Sequence, residues 1–478
     1  MRVLSALAAL VFTGAAAAQT HDMANMPGMA MPPAKLSPTP PPPQTLPDPA
    51  PPTAMDHGAM NHPGMSHMAM DHGAMDHGAM DHGAMSPMAM SGDLGAYPMT
   101  RDATGTAWQP DSARHEGWHV MAGPWSMMAH GEATLVYDDQ GGPRGRSKTF
   151  VESFAMLSAQ RPLGGGVLTL RAHGSLDPTI GKAGYSLLLQ TGETADGKTP
   201  LIDRQHPHDL VDELSVTYAH PLTTGLSGFV YAAYPGEPAL GPVTYLHRGS
   251  GMVSPETPIG HHWLDSTHVA FGVLTTGVVI GNQLKLEGST FKGREPDQHR
   301  WNFDSAALDS YSVRATWNPT RDLSMQVSTG WLHSPEQLEP EVDQRRTTAS
   351  VTYNRPLARG WWQTTLAYGQ DQNRSPTTSR TTDAWLLESA LSHGPHTVFA
   401  RAEEADKDEL FEAPSPLAGR AFRVDKLSLG YAYAIPVSTH FVVELGGLAS
   451  VYSLPTALER AYGSDPRSLM LFTRVRLR

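Results

Sequence analysis

The strongest chemistry in the chain lies near its start, in a short unit that recurs. It reads Met55-Asp56-His57-Gly58-Ala59, then Met70-Asp71-His72-Gly73-Ala74, Met75-Asp76-His77-Gly78-Ala79 and Met80-Asp81-His82-Gly83-Ala84-Met85. Met60, His62, Met65, His67, Met68, Met88 and Met90 fill the intervals with the same two residue types. The chain has no cysteine, so any soft metal ligand must be a thioether or an imidazole. Thioethers suit Cu(I) and its surrogate Ag(I), and imidazole also accepts Cu(II). Glycine and alanine between the ligands let a chain wrap two or three of them round one ion, and repetition raises the local ligand concentration. A low-complexity spacer without ligand function is the competing reading. It does not account for methionine and histidine where serine, glutamate or lysine would serve.

A second set of candidate ligands lies further on. His206, His208 and Asp209 form a His-x-His-Asp cluster, and His261-His262 form a pair, with His247, His268 and His299 nearby in sequence. Several imidazoles and a carboxylate brought together could hold Zn(II) or Cu(II). The alternative is loop packing, in which Arg204, Arg248, Arg294 and Arg300 tie these groups into ion pairs.

What positions these residues is legible in the periodicity. Residues 1–18 read as a signal peptide, with Arg2 ahead of a short apolar run and small residues from Ala15 to Ala18. Residues 19–110, rich in Met, His and Pro, lack apolar periodicity and read as a disordered metal-binding extension, with the prolines around 38–52 as an extended spacer. Residues 111–478 show the strand period of two. Tyr311, Val313, Ala315 and Trp317 alternate with Ser312, Arg314 and Thr316; Leu427, Leu429, Tyr431 and Tyr433 alternate with Lys426, Ser428 and Gly430. Short turns at 162–166, 221–225, 318–322, 356–360 and 436–439 alternate with long polar loops at 177–210, 236–262, 292–307, 334–344, 371–381, 406–421 and 453–466. This layout predicts a transmembrane antiparallel β-barrel of about sixteen strands, its long loops at one mouth. Trp317, Trp331, Trp361, Trp362, Tyr368, Trp385, Tyr431 and Tyr433 sit near strand ends, where aromatic girdles are expected.

Composition narrows the function. A net charge of −12 argues against a nucleic-acid partner. No Gly-x-Ser-x-Gly, His-Glu-x-x-His or phosphate-binding loop is present, so the expectation is a non-enzyme, with a loop-sited metal-dependent hydrolase as an alternative.

The repeats resemble the Met/His-rich extensions of exported proteobacterial copper-resistance proteins, notably the copper resistance protein B family of outer-membrane barrels. The barrel segments Tyr137–Gly145, Leu189–Thr194, Asp203–Asp209, His261–His268 and Gly293–Trp301 instead resemble an uncharacterised proteobacterial barrel family. These resemblances imply an outer-membrane protein, in contact with lipid, whose periplasmic tail binds copper and contributes to copper sequestration, tolerance or export, with periplasmic copper-handling proteins as partners. A general channel or structural barrel whose tail only buffers metal is the rival.

Overall fold

A computed structural model describes residues 91–114 and 116–478. The first strands are β1 (Trp118–Ala122), β2 (Trp125–Gln140), β3 (Ser147–Leu163), β4 (Gly166–Gly174), β5 (Tyr185–Thr194) and β6 (Pro200–Gln205). Next come β7 (Val211–Thr223), β8 (Leu226–Ala233), β9 (Val273–Ile280), β10 (Leu284–Phe291), β11 (Ser310–Thr320), β12 (Leu323–Leu332) and β13 (Asp343–Leu357). The series ends with β14 (Gly360–Arg374), β15 (Ser379–His393), β16 (His396–Lys407), β17 (Phe422–Pro436), β18 (Phe441–Ser453) and β19 (Arg467–Leu477). All except β1, β5 and β6 form a sixteen-stranded antiparallel barrel, which β19 closes by pairing with β2. β1 folds back on the start of β2, while β5 and β6 pair with each other in a loop.

The in–out alternation follows the sequence pattern. Val313 and Trp317 are exposed on the outer face, whereas Ser312, Arg314 and Thr316, which alternate with them, are buried. Leu429 is 60% exposed and its neighbour Ser428 3%. In β19, Leu469, Leu471 and Val475 face out and Arg474 faces in. A continuous apolar exterior over a polar interior suits a barrel in lipid. One aromatic departs from expectation. Trp362 lies in the wall and donates to Ser389, but Trp361, one residue out of phase, packs against the buried core inside the barrel.

Short turns join the strands at one end of the barrel and long loops at the other, hereafter the turn end and the loop end. The loops do not all stay at the mouth. Residues 234–272, between β8 and β9, run down the lumen, which corrects the expectation that 236–262 sits at the mouth. The physical reason is polar satisfaction. This stretch has almost no regular structure, so its amides need partners that strands would otherwise supply. Inward side chains provide them: Ala239 N donates to Ser289 at 2.7 Å, Gly241 N to Ser328 at 2.9 Å, Ser250 N to Gln363 at 2.8 Å and Gly260 N to Glu403 at 3.1 Å. Ser250 thus reaches to within three residues of the turn at Gly360.

Residues 91–114 also pack in the lumen, at the turn end. Arg101 pairs with Asp111 at 2.6 Å and lies over the rings of Tyr97 and Trp108. Asn318 donates to Gln109 O, Asn354 to Ser112 O, and Arg171 pairs with Asp93 at 2.7 Å. The boundary expected at 110/111 therefore shifts, because 91–110 is packed into the barrel rather than part of an unstructured extension. The signal peptide and the tail ligands Met55 to Met90 lie outside the described residues.

Candidate functional site

The β5–β6 hairpin leads into His206, His208 and Asp209, and the inserted loop returns towards the loop end through a helical turn, His261–Leu264. Between them lies a cavity of about 20 Å³, lined by His206, His208, Asp209, His261 and His268 together with Glu193, Glu295 and Arg300. That volume accommodates one water molecule or ion. The rings of His208 and His268 are 5.1 Å apart between centroids, and those of His261 and His268 5.3 Å. Two imidazoles sharing one tetrahedral ion at the usual Zn–N distance have centroids about 5 Å apart.

Each ring is oriented through one nitrogen. His208 Nδ1 meets Asp177 at 2.9 Å, His261 Nδ1 meets Asp265 at 2.6 Å, and His268 Nδ1 lies 2.8 Å from the Asp265 carbonyl. The buried Nε2 atoms of His208 and His268 have no protein partner. A carboxylate or carbonyl on one nitrogen with the other left open is the arrangement that orients metal-ligating histidines. Burial favours neutral rings. It holds His206 down at about 3, with His208 and His261 adding to the effect, and keeps His261 below the usual range despite Asp265. His208 is the exception: burial opposes its charge, but Asp177 outweighs burial and raises it to about 9. Burial and Asp212 push Asp209 up to about 8.

His262 turns away from this cavity. Its Nδ1 lies 3.9 Å from both Glu295 and Glu336, and one ligand atom from each of the three residues falls within 4.8 Å of the others. Glu295 Oε2 and His262 Nε2 are buried without a protein partner. Burial pushes the Glu295 carboxyl up to about 7, and burial with the adjacent Glu295 raises Glu336 further. Two carboxylates and an imidazole are donors that suit a divalent cation. The His262 ring remains 5.8 Å from His261 and 6.2 Å from His206.

The expected cluster is therefore split: His206, His208, Asp209 and His261 share one cavity, and His262 belongs to the adjacent His–Glu–Glu group. The loop-packing reading holds for two of its four arginines. Arg300 pairs with Glu193 and lies 3.8 Å from Asp209, and Arg248 joins Asp265 to Glu388. Arg204 instead donates to Ala183 O and Arg294 to Ser334, away from the histidines. His299 faces Lys182 outside the cluster. Neither Glu295 nor Glu336 stands out as a ligand in the sequence, although Glu295 lies in the Gly293–Trp301 segment.

Further down the lumen is a second group of rings. His130 and His173, on β2 and β4, flank His247 of the inserted loop, with centroids 5.4 and 5.3 Å from it. His173 Nδ1 faces Asp212 at 3.5 Å, and the buried Nε2 atoms of His173 and His247 have no protein partner. His173 lies in β4, and its meeting with His247 depends on where the inserted loop goes.

No family model matches the chain, and no curated protein matches its sequence. Among solved structures, an anion-selective porin from Comamonas acidovorans is 10% identical over 74% of this chain and 99% of the porin, with a TM-score of 0.47. Salmonella typhi OmpF, in complex with daunomycin, is 11% identical over 75% of this chain and all 100% of its own, with a TM-score of 0.44. Pseudomonas putida OprB is 8% identical over 73% and 94%, with a TM-score of 0.45. The class is defined by the chain's own strand pairing. It is a closed sixteen-stranded β-barrel of the outer-membrane type, with its lumen occupied by its own chain.

Proposed function

We propose that this is an outer-membrane copper-handling barrel. Its Met/His tail, in the periplasm, collects Cu(I), with Ag(I) as a surrogate and Cu(II) accepted by the imidazoles. The protein contributes to copper sequestration, tolerance or export, in exchange with periplasmic copper-handling proteins. The loop-end histidines and carboxylates hold a divalent cation in this reading. Carrying it is the continuation of the repeats' ligand chemistry inside the barrel, where two groups of oriented imidazoles flank the inserted loop. The rival reading, a general channel with a buffering tail, keeps the barrel but leaves this arrangement without a use. It is also less suited to a lumen in which Glu256, Ile259 and His261 of the inserted loop are fully or almost fully buried.

The test compares the full chain with a variant lacking residues 19–90. Metal analysis of the purified proteins is expected to show several fewer Ag(I) or Cu(I) ions per chain in the variant. Cells carrying it lose copper tolerance while small-solute permeability is unchanged. Equal metal content and equal tolerance would overturn the reading.

A further inference from the structure

Behind the His130–His247 contact, at the turn end, the lumen holds a cavity of about 120 Å³. Four methionines line it: Met99 from the packed N-terminal segment, Met128 from β2, Met156 from β3 and Met252 from the inserted loop. Only eight methionines occur among the described residues, so half of them converge here from four separate elements. The strand register fixes part of this convergence. His130 is the cross-strand partner of Met156 in the β2–β3 pair, and Met128 lies two residues from His130 on the same inward face. Directly opposed side chains on one face have Cβ atoms about 5 Å apart. Met128 and Met156 are both 7% exposed.

Methionine as a filler of irregular space is the ordinary explanation. It accounts for contact with Phe154 and Trp361 in the same wall, but not for the imidazole and carboxylate groups that share the cavity. Two imidazoles join the thioethers, and His247 Nε2 is buried with no protein partner. The charged side chains facing the cavity are Asp93, Asp102, Glu116 and Glu132 against Arg114, Arg171 and Arg476, so the site carries no excess of positive charge to repel a cation. All three arginines are already engaged, Arg171 by Asp93, and Arg114 and Arg476 by Glu116.

We infer that this cavity is an intramolecular Cu(I) site, with Met128, Met156 and Met252 as thioether ligands, His130 and His247 as imidazole ligands, and Met99 closing it from the N-terminal segment. The inference rests on the copper-handling reading and gives it a location in the barrel. Soft neutral sulfur with imidazole selects Cu(I) or Ag(I) over the hard cations that suit the carboxylates at the loop end. Delivery follows from connectivity. Met90, the last ligand of the repeats, is bonded to Ser91, whose carbonyl accepts from Gln160 in the cavity wall at 3.4 Å. Ions held on the tail are thus offered to the cavity at high effective concentration.

The test uses the purified full chain in detergent, titrated with Ag(I), desalted and analysed for silver, beside a Met128→Leu/Met156→Leu variant. Leucine conserves volume, and a heat-dependent shift in gel migration verifies the folded barrel. The variant is expected to hold one ion fewer per chain. In a chain lacking residues 19–90, one ion is expected to remain, with sulfur in its X-ray absorption shell, and to vanish with the same substitutions. Should the double variant fail to show the folded-barrel shift, Met252→Leu, which lies in no strand, replaces it with the same expected loss. If the shortened chain holds no silver while the full chain binds several ions, the lumen site is wrong and the copper-collecting tail stands. Silver retained through every substitution, or bound by nitrogen and oxygen alone, also overturns it. If neither chain binds silver, the copper reading itself falls.

Discussion

Lys426, on the inner wall of β17, places its Nζ 2.7 Å from Oε1 of Glu256 in the inserted loop, and neither side chain has any solvent exposure. A buried pair of this kind is not a strong net source of stability, but removing one partner strands the other charge. Lys426→Ala is expected to destabilise the protein by about 3–5 kcal/mol. The Lys426→Met/Glu256→Gln double variant should recover most of that loss. Chemical unfolding of the protein in lipid vesicles, followed by tryptophan fluorescence, supplies the comparison. Equal losses in the single and double variants would show that the pair does not anchor the loop.

Neighbouring residues of the same strand separate lipid from lumen. Leu429 faces outward at the middle of β17, so Leu429→Arg is expected to cost about 2–4 kcal/mol near the bilayer centre. In an open, water-filled lumen Ser428→Arg would be nearly free. Here Ser428 Oγ donates to Glu256 at 2.9 Å and contacts Ser450 Oγ at 2.8 Å, in a space with no room for a guanidinium. Ser428→Arg is therefore expected to destabilise by about 1–3 kcal/mol through overpacking. Refolding equilibria in vesicles decide the point, and a neutral Ser428→Arg would mean that the loop does not fill the barrel there.

This contrast also marks what was legible in the sequence. The alternation of Leu429 with Ser428, and of Val313 with Ser312 and Arg314, fixes which face meets lipid because a strand's side chains alternate with period two. The turns at 162–166 and 356–360 fix the hairpins by local chemistry, as at Gly164 and Gly165, both with positive φ. The course of 234–272 has no such periodicity. It depends on Ser289, Ser328, Gln363 and Glu403, far away in sequence, supplying hydrogen bonds to its amides. The histidines could be seen as ligand candidates, but their division into separate groups, and the recruitment of His130, Glu295 and Glu336, required that course.

The inserted loop carries a pH-sensitive group. Glu237 is buried, and burial pushes its carboxyl up from 4.5 to about 7 although the Arg314 guanidinium, 3.8 Å away, pulls the other way. A folded-state value above the unfolded one contributes stability that is complete below about pH 4.5 and is lost as pH rises through about 7. Glu237→Gln stays neutral throughout. It is expected to match the unaltered protein at pH 4 and to exceed it by on the order of 3 kcal/mol at pH 9. Unfolding midpoints measured across that range provide the check, and parallel pH profiles would count against this role for Glu237.

At the loop end, one glycine governs one histidine. Gly192, in β5, has a φ of +106°, and a Cβ built there would meet His262 Cε1 at 2.3 Å and Nε2 at 2.9 Å. The backbone conformation and the close ring both require glycine. Gly192→Ala must displace the imidazole, whose Nδ1 is now equidistant from Glu295 and Glu336 at 3.9 Å. Since metal affinity depends on how ligands are held, the substitution is expected to weaken Zn(II) or Co(II) binding at least about tenfold. His262→Gln should lose the same binding outright, whereas Ag(I) binding near Met128 and Met156 should be untouched by either change. Co(II) is the better probe, because its visible absorption reports nitrogen and oxygen coordination directly. A Gly192→Ala protein that binds Co(II) with unchanged affinity and spectrum would show that His262 takes no part in a cation site.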